Sequence, residues 1–286
     1  MMRVMIAGAG SYVGQNVRRY LLATSDHFEI DEVDTLDGNW RQADFGRYDV
    51  VFHVAGIAHV NAGRKLKELY YSVNRDLAIE VARAAKAAGV RQFIFMSSQI
   101  VYHESRSLRP EVLTAATKVN PNGFYGDSKL QAENGLRELE CESFRVCILR
   151  PPLIYGPNAN GNFLRLMRLA KKTPIFPAWH NKRSMLYVDN LAEFVKQAIL
   201  RGLGGTYCPQ NRELVDTVDV VRFFAKASGR RVWVTRLLNP FVWLGSLVLQ
   251  PINKMLGTYY YAPEMSRMDF DYQLVGFEES LDRTIG

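Results

Sequence analysis

A tyrosine and a lysine stand four positions apart in the stretch NGFYGDSKLQAE, at Tyr125 and Lys129. On a helix, residues i and i+4 are neighbours on one face, so the two side chains could form an acid/base pair. A phenol with a pKa of about 10 is a poor base at neutral pH, but a nearby ammonium stabilises the phenolate. The simpler alternative is two surface residues on an amphipathic helix, and the spacing alone does not separate the two.

A second candidate site lies at the start of the chain, where the apolar run RVMIAGAG leads into a glycine turn. A strand that enters such a turn and then a helix directs backbone N–H groups and the positive end of the helix at a pyrophosphate. Glycines suit the turn because a Cβ would block the close approach of phosphates. The sequence therefore predicts a dinucleotide site formed by Gly8, Gly10, Ser11, Tyr12, Val13 and Gly14.

An acidic residue at the end of the second strand, in FEIDEVDTLDG, should accept hydrogen bonds from the adenosine ribose. Asp34 and Asp37 both qualify, and we prefer Asp37 because it directly precedes the turn glycine Gly38. A carboxylate at this position repels a 2′-phosphate and so favours NAD over NADP. NADP stays open as an alternative because three arginines, ordinary surface residues on the simpler interpretation, are near in sequence: Arg18, Arg19 and Arg41.

Strand and helix patterns alternate through the first half of the chain. Short apolar strands are predicted within residues 3–10 and 48–56, and a long alanine-rich helix over 69–89 ends at a glycine. Another strand, over 144–156, follows the helix that carries Tyr125 and Lys129. This alternation predicts an α/β fold with a Rossmann-type, doubly wound parallel sheet.

Beyond residue 156 the alternation weakens, which predicts a second, smaller part of the molecule. We assign residues 1–156 to a dinucleotide-binding domain and expect the periodic segment 185–200 to return to it. Residues 157–184 and 201–286 are assigned to a substrate-binding lobe.

Composition narrows the class of protein further. Of the 286 residues, 48% are hydrophobic and 23% are charged, which is typical of a globular protein with a sizeable core. The three cysteines show no metal-ligand spacing and suit a reducing cytoplasm, so we predict no metal site. The N-terminal residues run straight into a strand, which argues against a signal peptide. The net charge of +7 suits anionic diphosphates or a membrane surface; the basic residues form no stripe, so nucleic acid is not an expected partner.

Several further motifs occur in a characteristic order. After the glycine turn come ADF at 43–45, HVAG at 53–56, VN at 73–74, MSSQIVY at 96–102, YGDSK at 125–129, LRPPLIYGP at 149–157 and RSMLYVD at 183–189. Each is weak alone, but together they cover nearly the whole chain. In their order and spacing the chain resembles the extended short-chain dehydrogenase/reductases, particularly the sugar-nucleotide epimerases and dehydratases. Ser11 departs from the family pattern, which usually has glycine there, but serine is small enough for the turn to persist.

The resemblance implies a role for each matched residue. Tyr125 is the general acid/base, Lys129 stabilises its phenolate and binds the nicotinamide ribose, and Ser98 hydrogen-bonds the reacting sugar hydroxyl. Ser97 is the alternative to Ser98. Further cofactor-binding positions are implied for Asp44 at the adenine, Ala55 and Gly56 beneath the cofactor, Asn74 in support of the active-site backbone, and Pro152.

For the substrate, the resemblance implies that Arg183 binds the diphosphate, since the fork of a guanidinium matches phosphate oxygens. Asn162 is expected to contact the same group.

Three reactions share this machinery: C4 epimerisation, dehydration across C4–C6, and reduction of a 4-keto sugar. Dehydratases of the family carry Asp-Glu after the catalytic Ser or Thr, whereas Gln99 and Ile100 follow Ser98 here, so dehydration is disfavoured. The NAD preference expected from Asp37 favours an epimerase over a 4-keto-sugar reductase, which stays as the alternative. A regulatory protein that binds a dinucleotide without turnover has no need of the intact acid/base set.

Residues 237–256, LLNPFVWLGSLVLQPINKML, are apolar on every face and follow Arg230, Arg231 and Arg236. Two prolines interrupt the segment and it is too short to span a bilayer. It is either a buried helix of the smaller lobe or a helix that lies in the membrane interface. The C-terminal region also resembles epimerases that act on N-acetylhexosamine linked through diphosphate to a polyprenol, and membrane contact would suit such a substrate.

The sequence therefore predicts an NAD-dependent 4-epimerase of a UDP- or polyprenyl-diphosphate-linked hexose or N-acetylhexosamine, in bacterial surface polysaccharide assembly. The expected partners are this sugar diphosphate, the membrane surface through residues 237–256, and a second copy of the chain in a homodimer. The expected location is the cytoplasm, at the inner face of the membrane.

Overall fold

The structure is a computed structural model that describes residues 1–58, 64–105, 107–159 and 161–285, without the side chains of residues 64–66. Its strands are β1 (Met2–Ala7), β2 (Phe28–Val33), β3 (Val50–His53), β4 (Gln92–Met96), β5 (Glu111–Leu113), β6 (Arg145–Leu149), β7 (Leu153–Tyr155), β8 (Ile175–Pro177), β9 (Met185–Tyr187), β10 (Gly205–Tyr207), β11 (Trp233–Thr235) and β12 (Tyr259–Tyr261). Its α-helices are α1 (Tyr12–Thr24), α2 (Arg64–Tyr71), α3 (Leu77–Ala87), α4 (Phe124–Arg137), α5 (Asn162–Ala170), α6 (Val188–Leu200), α7 (Thr217–Ala227), α8 (Asn239–Ser246), α9 (Gln250–Leu256) and α10 (Phe277–Ile285).

Six of the strands form one parallel sheet in the order β10-β6-β4-β3-β1-β2. The central strands β3 and β4 are buried along their whole length, as expected of a sheet that is covered on both faces. The predicted Rossmann-type, doubly wound sheet is confirmed. The strand order reverses at β1, between β2 and β3, and such a switch point is where open α/β sheets bind ligands.

Helices cover both faces of this sheet. On one face, Val17 of α1 and Leu191 of α6 pack against Val4 and Ile6 of β1. On the other face, α3 and α4 pack against β3 and β4, and the alanines of α3 keep that helix close to the sheet. The alanine-rich composition of α3 therefore serves close helix–sheet packing.

Three details differ from the elements expected from the sequence. The strand expected over 144–156 is two strands, because Pro151 and Pro152 have no N–H group and cannot continue a ladder; β7 pairs with β9 instead. The helix expected over 69–89 is interrupted by a π-helical turn at Ser72–Asp76. The edge strand β10, which pairs with β6, comes from the segment 201–286 that we assigned to the smaller lobe.

A separate apolar cluster joins α5, α7 and β9 through residues such as Phe163, Met185 and Phe224. The two-stranded pair of β8 with β11 belongs to this cluster, whereas the pair of β5 with β12 packs in another one, with Val101 and Tyr102. Of the helices described, none is long and apolar enough to cross a bilayer.

A helical glycine brings α4 against the segment that follows β4, which gives the first testable prediction. A Cβ on Gly126 would stand 2.6 Å from the Ile100 carbonyl oxygen and 2.8 Å from the Pro121 Cβ. We expect Gly126→Ala to lower the free energy of unfolding by about 1 to 3 kcal/mol through overpacking. Thermal or urea unfolding measures this change. In the control Gly123→Ala, the new Cβ meets no atom within 4 Å, and an equal loss there would contradict the packing explanation.

Candidate active site

The predicted acid/base residue lies in the first turn of α4. Tyr125 shares a hydrogen bond with Ser98, and its ring centroid lies 6.1 Å from that of Tyr70. Burial raises the pKa of Tyr125, while the hydrogen bond with Ser98 opposes the rise. Ser98 is held in place because it caps a short 3-10 helix, where its Oγ accepts from the Ile100 N–H at 3.3 Å. The fold thus joins two side chains that are 27 positions apart in the sequence.

The predicted lysine partner is almost fully buried, with 4% of its surface exposed. Lys129 Nζ donates to the Met96 carbonyl at 2.8 Å and lies 4.6 Å from the centroid of the Phe95 ring. Burial lowers the pKa of Lys129 from 10.5 to about 7, and the charge of Glu133, one turn further along α4, partly opposes this. Its protonation is therefore poised near neutral pH, where small changes in the site alter its charge.

A loop after β3 stands next to this lysine. A Cβ on Gly56 would lie 3.1 Å from Lys129 Nζ and 3.0 Å from Asn74 Oδ1, so only glycine leaves this space free. The buried Asn74, in the π-helical turn, fixes the loop through both polar atoms of Ile57: Oδ1 accepts from the N–H at 2.9 Å and Nδ2 donates to the carbonyl at 3.1 Å. Asn74 also donates to Ser128 at 3.1 Å and so ties the loop to α4.

The glycine turn after β1 has the geometry that its residue types predict. Gly8 has a φ of 123°, and a Cβ there would stand 2.7 Å from the Ala55 nitrogen. Ser11, which replaces the usual glycine of the family, caps α1: its Oγ accepts from the Gly14 N–H at 3.1 Å. Gly14 must itself be small, since a Cβ would lie 2.9 Å from Ile6 Cγ2. The turn is therefore packed tightly on β1 and β3.

The outer side of the turn is open. At Gly10, whose φ is 74°, a Cβ would meet no atom within 4 Å. The Gly10 N–H donates to Glu32 Oε2 at 3.0 Å, and Arg18 lies 3.8 Å from the other oxygen of that carboxylate. Glu32 was not expected from the sequence. The feature that could have indicated it is an acidic residue in β2, next to the turn.

The acidic residues after β2 occupy different places. Asp34 directly follows the strand, and its Oδ1 accepts from the Leu36 N–H at 2.8 Å. Asp37 lies three residues further, and both of its carboxylate oxygens accept hydrogen bonds from Asn39. That Asp37 binds the adenosine ribose stays a prediction. Asp34 is the alternative, and its position is set directly by the end of β2.

The other expected cofactor residues occupy separate places in the fold. Asp44 is exposed and caps a 3-10 helix through the Gly46 N–H at 3.1 Å, and Ala55 donates its own N–H to the Ala7 carbonyl at 3.0 Å. Val13, in the first turn of α1, packs against the core, and Pro152 is buried between the ends of β6 and β7. The hydroxyl of Tyr12 is buried and has no hydrogen-bond partner among the residues described.

The expected diphosphate ligand Arg183 is a half-buried cation. Its Nη1 donates to the Gly257 carbonyl at 3.2 Å, and within the described ranges no carboxylate oxygen lies within 4 Å of its guanidinium. Burial lowers the pKa of Arg183 to about 10, and no carboxylate of the described residues compensates its charge. A bound anion would supply that compensation. Asn162, in contrast, is exposed at the start of α5.

A buried ion pair beneath the site was not anticipated from the sequence. Arg150 donates from Nε and Nη2 to the two oxygens of Glu133 at 3.0 and 2.6 Å, and Ser97 donates to the same carboxylate at 2.5 Å. Ser97, the alternative to Ser98, is thus engaged below the site. The sequence feature that could have indicated this ion pair is Glu133 itself, four residues after Lys129 and on the same face of α4.

Comparison with known proteins bears on this geometry. A family model described as the NAD dependent epimerase/dehydratase family matches residues 4–207. The chain belongs to this family. NAD is its cofactor, in agreement with the expectation from the sequence.

Among curated proteins, the chain is similar to a UDP-glucose 4-epimerase of Vibrio cholerae, with 28% identity over 80% of this chain and 77% of the relative. It is also similar to an N-acetyl-alpha-D-glucosaminyl-diphospho-ditrans,octacis-undecaprenol 4-epimerase of Escherichia coli O157:H7, with 26% identity over 90% and 82% of the two chains.

Among solved structures, a dTDP-4-dehydrorhamnose reductase of Clostridium acetobutylicum superposes with a TM-score of 0.76 at 20% identity, over 99% of this chain and 98% of that one. A UDP-glucuronic acid 4-epimerase of Bacillus cereus in complex with NAD superposes with a TM-score of 0.74 at 17% identity, over 99% and 97%. Both similarities establish the shared fold.

The described residues fit NAD. The glycine turn offers backbone N–H groups at the start of α1, and the open side at Gly10 leaves room for phosphates. The space kept free by Gly56 lies beside Lys129, the residue assigned to the nicotinamide ribose. Bound NAD supplies a reversible hydride acceptor, which no side chain of the protein provides.

The depressed pKa of Lys129 predicts a pH-dependent effect on stability. Between about pH 7 and 10.4 the unfolded chain holds a proton at this lysine that the folded chain has lost, so the contribution of Lys129 to stability improves as the pH rises. We expect Lys129→Met to be more stable than the wild type near neutral pH, with an advantage that shrinks toward alkaline pH. Melting temperatures across this range measure it, with exposed Lys226→Met as the control. A pH-independent difference would contradict the buried-ammonium interpretation.

The ribose assignment predicts which acidic residue discriminates NAD from NADP. Loss of the ribose-binding carboxylate should weaken NAD binding by about 10- to 100-fold, the value of a hydrogen bond to a charged group, and should narrow the NAD/NADP affinity ratio. The sequence-based preference predicts this for Asp37→Ala, whereas the position after β2 predicts it for Asp34→Ala. Isothermal titration of both variants decides between them. If neither variant changes affinity, Glu32 is the remaining acidic residue at the turn.

Proposed function

We propose that this protein is an NAD-dependent 4-epimerase of a diphosphate-linked hexose or N-acetylhexosamine. The observation that carries the proposal is the hydrogen bond between Ser98 and Tyr125 beside the buried Lys129. A protein that only binds a dinucleotide has no use for this set, since Gly8–Gly14 and the adjoining loops suffice for binding.

In the proposed reaction, Tyr125 starts as a phenolate, which the Lys129 ammonium stabilises, and it becomes a phenol when it accepts the proton of the C4 hydroxyl. Ser98 orients that hydroxyl. NAD, held by the glycine turn and Lys129, would supply the reversible hydride acceptor that links the two C4 epimers through a 4-keto sugar. When the 4-keto sugar is reduced from its opposite face, Tyr125 gives its proton back to the C4 oxygen. Sugar, cofactor and protein all regain their starting protonation and redox states, so no external reductant is consumed.

The diphosphate of the substrate is assigned to Arg183, because its guanidinium lacks a carboxylate partner among the described residues. Both carriers stay within the proposal: UDP, as in the name of the Vibrio relative, and a polyprenyl diphosphate, as in the name of the Escherichia relative. We further propose a role in surface polysaccharide assembly, in the cytoplasm at the inner face of the membrane, with homodimer formation as a separate prediction.

A 4-keto-sugar reductase is the second candidate. The NAD preference expected for an epimerase was based on the Asp37 carboxylate, and both oxygens of that carboxylate are engaged by Asn39. Asp37 thus already has hydrogen-bond partners of its own, and its contact with the adenosine ribose stays a prediction. A reductase would consume NADH or NADPH in proportion to its product, which separates it from an epimerase.

The two candidates are distinguished by incubating the purified protein with UDP-glucose, UDP-N-acetylglucosamine and the undecaprenyl-diphosphate-linked N-acetylglucosamine, with and without NADPH. We expect the C4 epimer of one substrate, identified by NMR, to accumulate without added reductant. A product that forms only with stoichiometric NADPH consumption would favour the reductase. No turnover of any sugar would favour a non-catalytic role.

Within the same assay, Tyr125→Phe should lower turnover by about two to four orders of magnitude, the typical contribution of a general acid/base. NAD binding, measured by titration, should persist. The control is Tyr48→Phe, which removes a hydroxyl that bonds Asp31 outside the site, and it should keep near-normal turnover. Comparable activity of Tyr125→Phe and wild type would overturn the assignment.

A further inference from the structure

A large apolar surface is exposed on the smaller lobe, at α8 and the turn 247–249. Six side chains of this surface are between 53% and 81% exposed: Phe241, Trp243, Leu244, Leu247, Val248 and Leu249. We call these six residues the docking surface. Exposed apolar groups on this scale mark an interaction site in a soluble domain.

The helix that carries this surface is anchored from below. In α8, Val242 packs into the apolar cluster of the lobe, and Gly245 allows close contact with Ile252 of α9, whose Cδ1 would lie 2.6 Å from an added Cβ. The segment was expected to be either a buried helix or an interfacial one. The inner side of α8 is buried and its outer side is exposed. Burial in the lobe therefore does not explain why the exposed residues of α8 are apolar.

Charge identifies the kind of partner. The sequence contains no Asp or Glu between Asp219 and Glu264, whereas Arg230, Arg231 and Arg236, which precede the docking surface in the chain, are exposed. An apolar surface next to uncompensated arginines matches a bilayer whose headgroups are anionic. In a symmetric contact between two copies of the chain, the same basic surface would be present on both sides. This segment offers no acidic residues to pair with the arginines of the other copy.

The docking surface is also connected to the proposed diphosphate site. Helix α9 runs from the turn 247–249 to Gly257, whose carbonyl accepts from Arg183. Seven helical residues span about 10 Å at 1.5 Å per residue, comparable to the depth of an interfacial layer. Lys254 of α9 pairs with Glu104 at 2.8 Å, in the segment that follows Ser98. A membrane on the docking surface would thus lie a short helix away from Arg183.

We propose that the docking surface binds an anionic membrane and thereby presents the Arg183 site to a lipid-linked sugar diphosphate at the headgroup layer. The choice of carrier rests on the proposed function, whereas the membrane contact does not. The tail of such a carrier stays in the bilayer, so the protein needs to bind only the diphosphate and the sugar.

Vesicle flotation tests the membrane contact without turnover. The full-length protein is mixed with phosphatidylcholine vesicles with or without 30% phosphatidylglycerol, at low and high salt. We expect flotation with the anionic vesicles that weakens with salt, and little with the neutral ones. Phe241→Ser/Trp243→Ser/Leu247→Ser should abolish it, while Leu22→Ser/Leu200→Ser/Leu274→Ser, at exposed positions elsewhere, should not. Circular dichroism and NAD binding confirm that both variants fold.

Charge is tested separately with Arg231→Gln/Arg236→Gln. Loss of two cations near an anionic surface should lower the partition coefficient about 30-fold, while Arg83→Gln/Arg267→Gln, the matched control, should leave it unchanged. Wild-type protein that stays unbound at low salt would overturn the proposal. A surface variant that instead converts a dimer into a monomer, measured by sedimentation, would assign the surface to a second copy of the chain and equally overturn it.

The carrier is tested by turnover on the same vesicles. If the surface serves a lipid-linked substrate, the triple serine variant should lose turnover of vesicle-borne polyprenyl-diphosphate sugar but keep turnover of that substrate dispersed in detergent. Equal loss in vesicles and detergent would contradict the presentation role. Vesicle binding without turnover of any sugar would leave the membrane contact standing and would refute the epimerase.

Discussion

The burial of one ammonium group beside Tyr125 is the constraint on which the rest of the site depends. Lys129 lies among the Met96 carbonyl, the Phe95 ring and the Glu133 charge, which together offset part of the cost of its desolvation. Arg150 and Ser97 hydrogen-bond the carboxylate of Glu133 in the interior, and Arg137 donates to it as well. Burial lowers the pKa of Lys129, while the charge of Glu133, held by these contacts, keeps that pKa from falling further.

The backbone around the lysine is held by small residues and one amide. Gly56 and Gly126 allow a loop and a 3-10 helix to approach α4 more closely than any side chain would permit. Asn74 locks that loop to α4 from a π-helical turn, an irregularity often found at functional sites. The same contacts that stabilise the fold thus position Tyr125 and Lys129.

Several arginines of the smaller lobe have the opposite character, since no carboxylate of the described residues pairs with them. Arg183 has no carboxylate partner in the described part of the chain, and the arginines beside the docking surface have no acidic residue near them in sequence. Stability does not explain such positions, because unpaired cations cost free energy when they are buried and gain little when they are exposed. The proposed binding of anionic substrates and surfaces would account for them.

The sequence by itself determined the parallel sheet and the glycine turn, because short-range periodicity encodes them. It placed Tyr125 and Lys129 on one helix face, but their spacing alone did not separate an acid/base pair from two surface residues. It could not determine that Pro151 and Pro152 divide a strand, that β10 joins the main sheet, or that Glu32 reaches the Gly10 N–H. Nor could it show that the outer side of α8 is exposed, because every face of the segment 237–256 is apolar. These were decided by the tertiary structure, since pairing partners, burial and pKa depend on residues that are distant in the chain and meet only after folding.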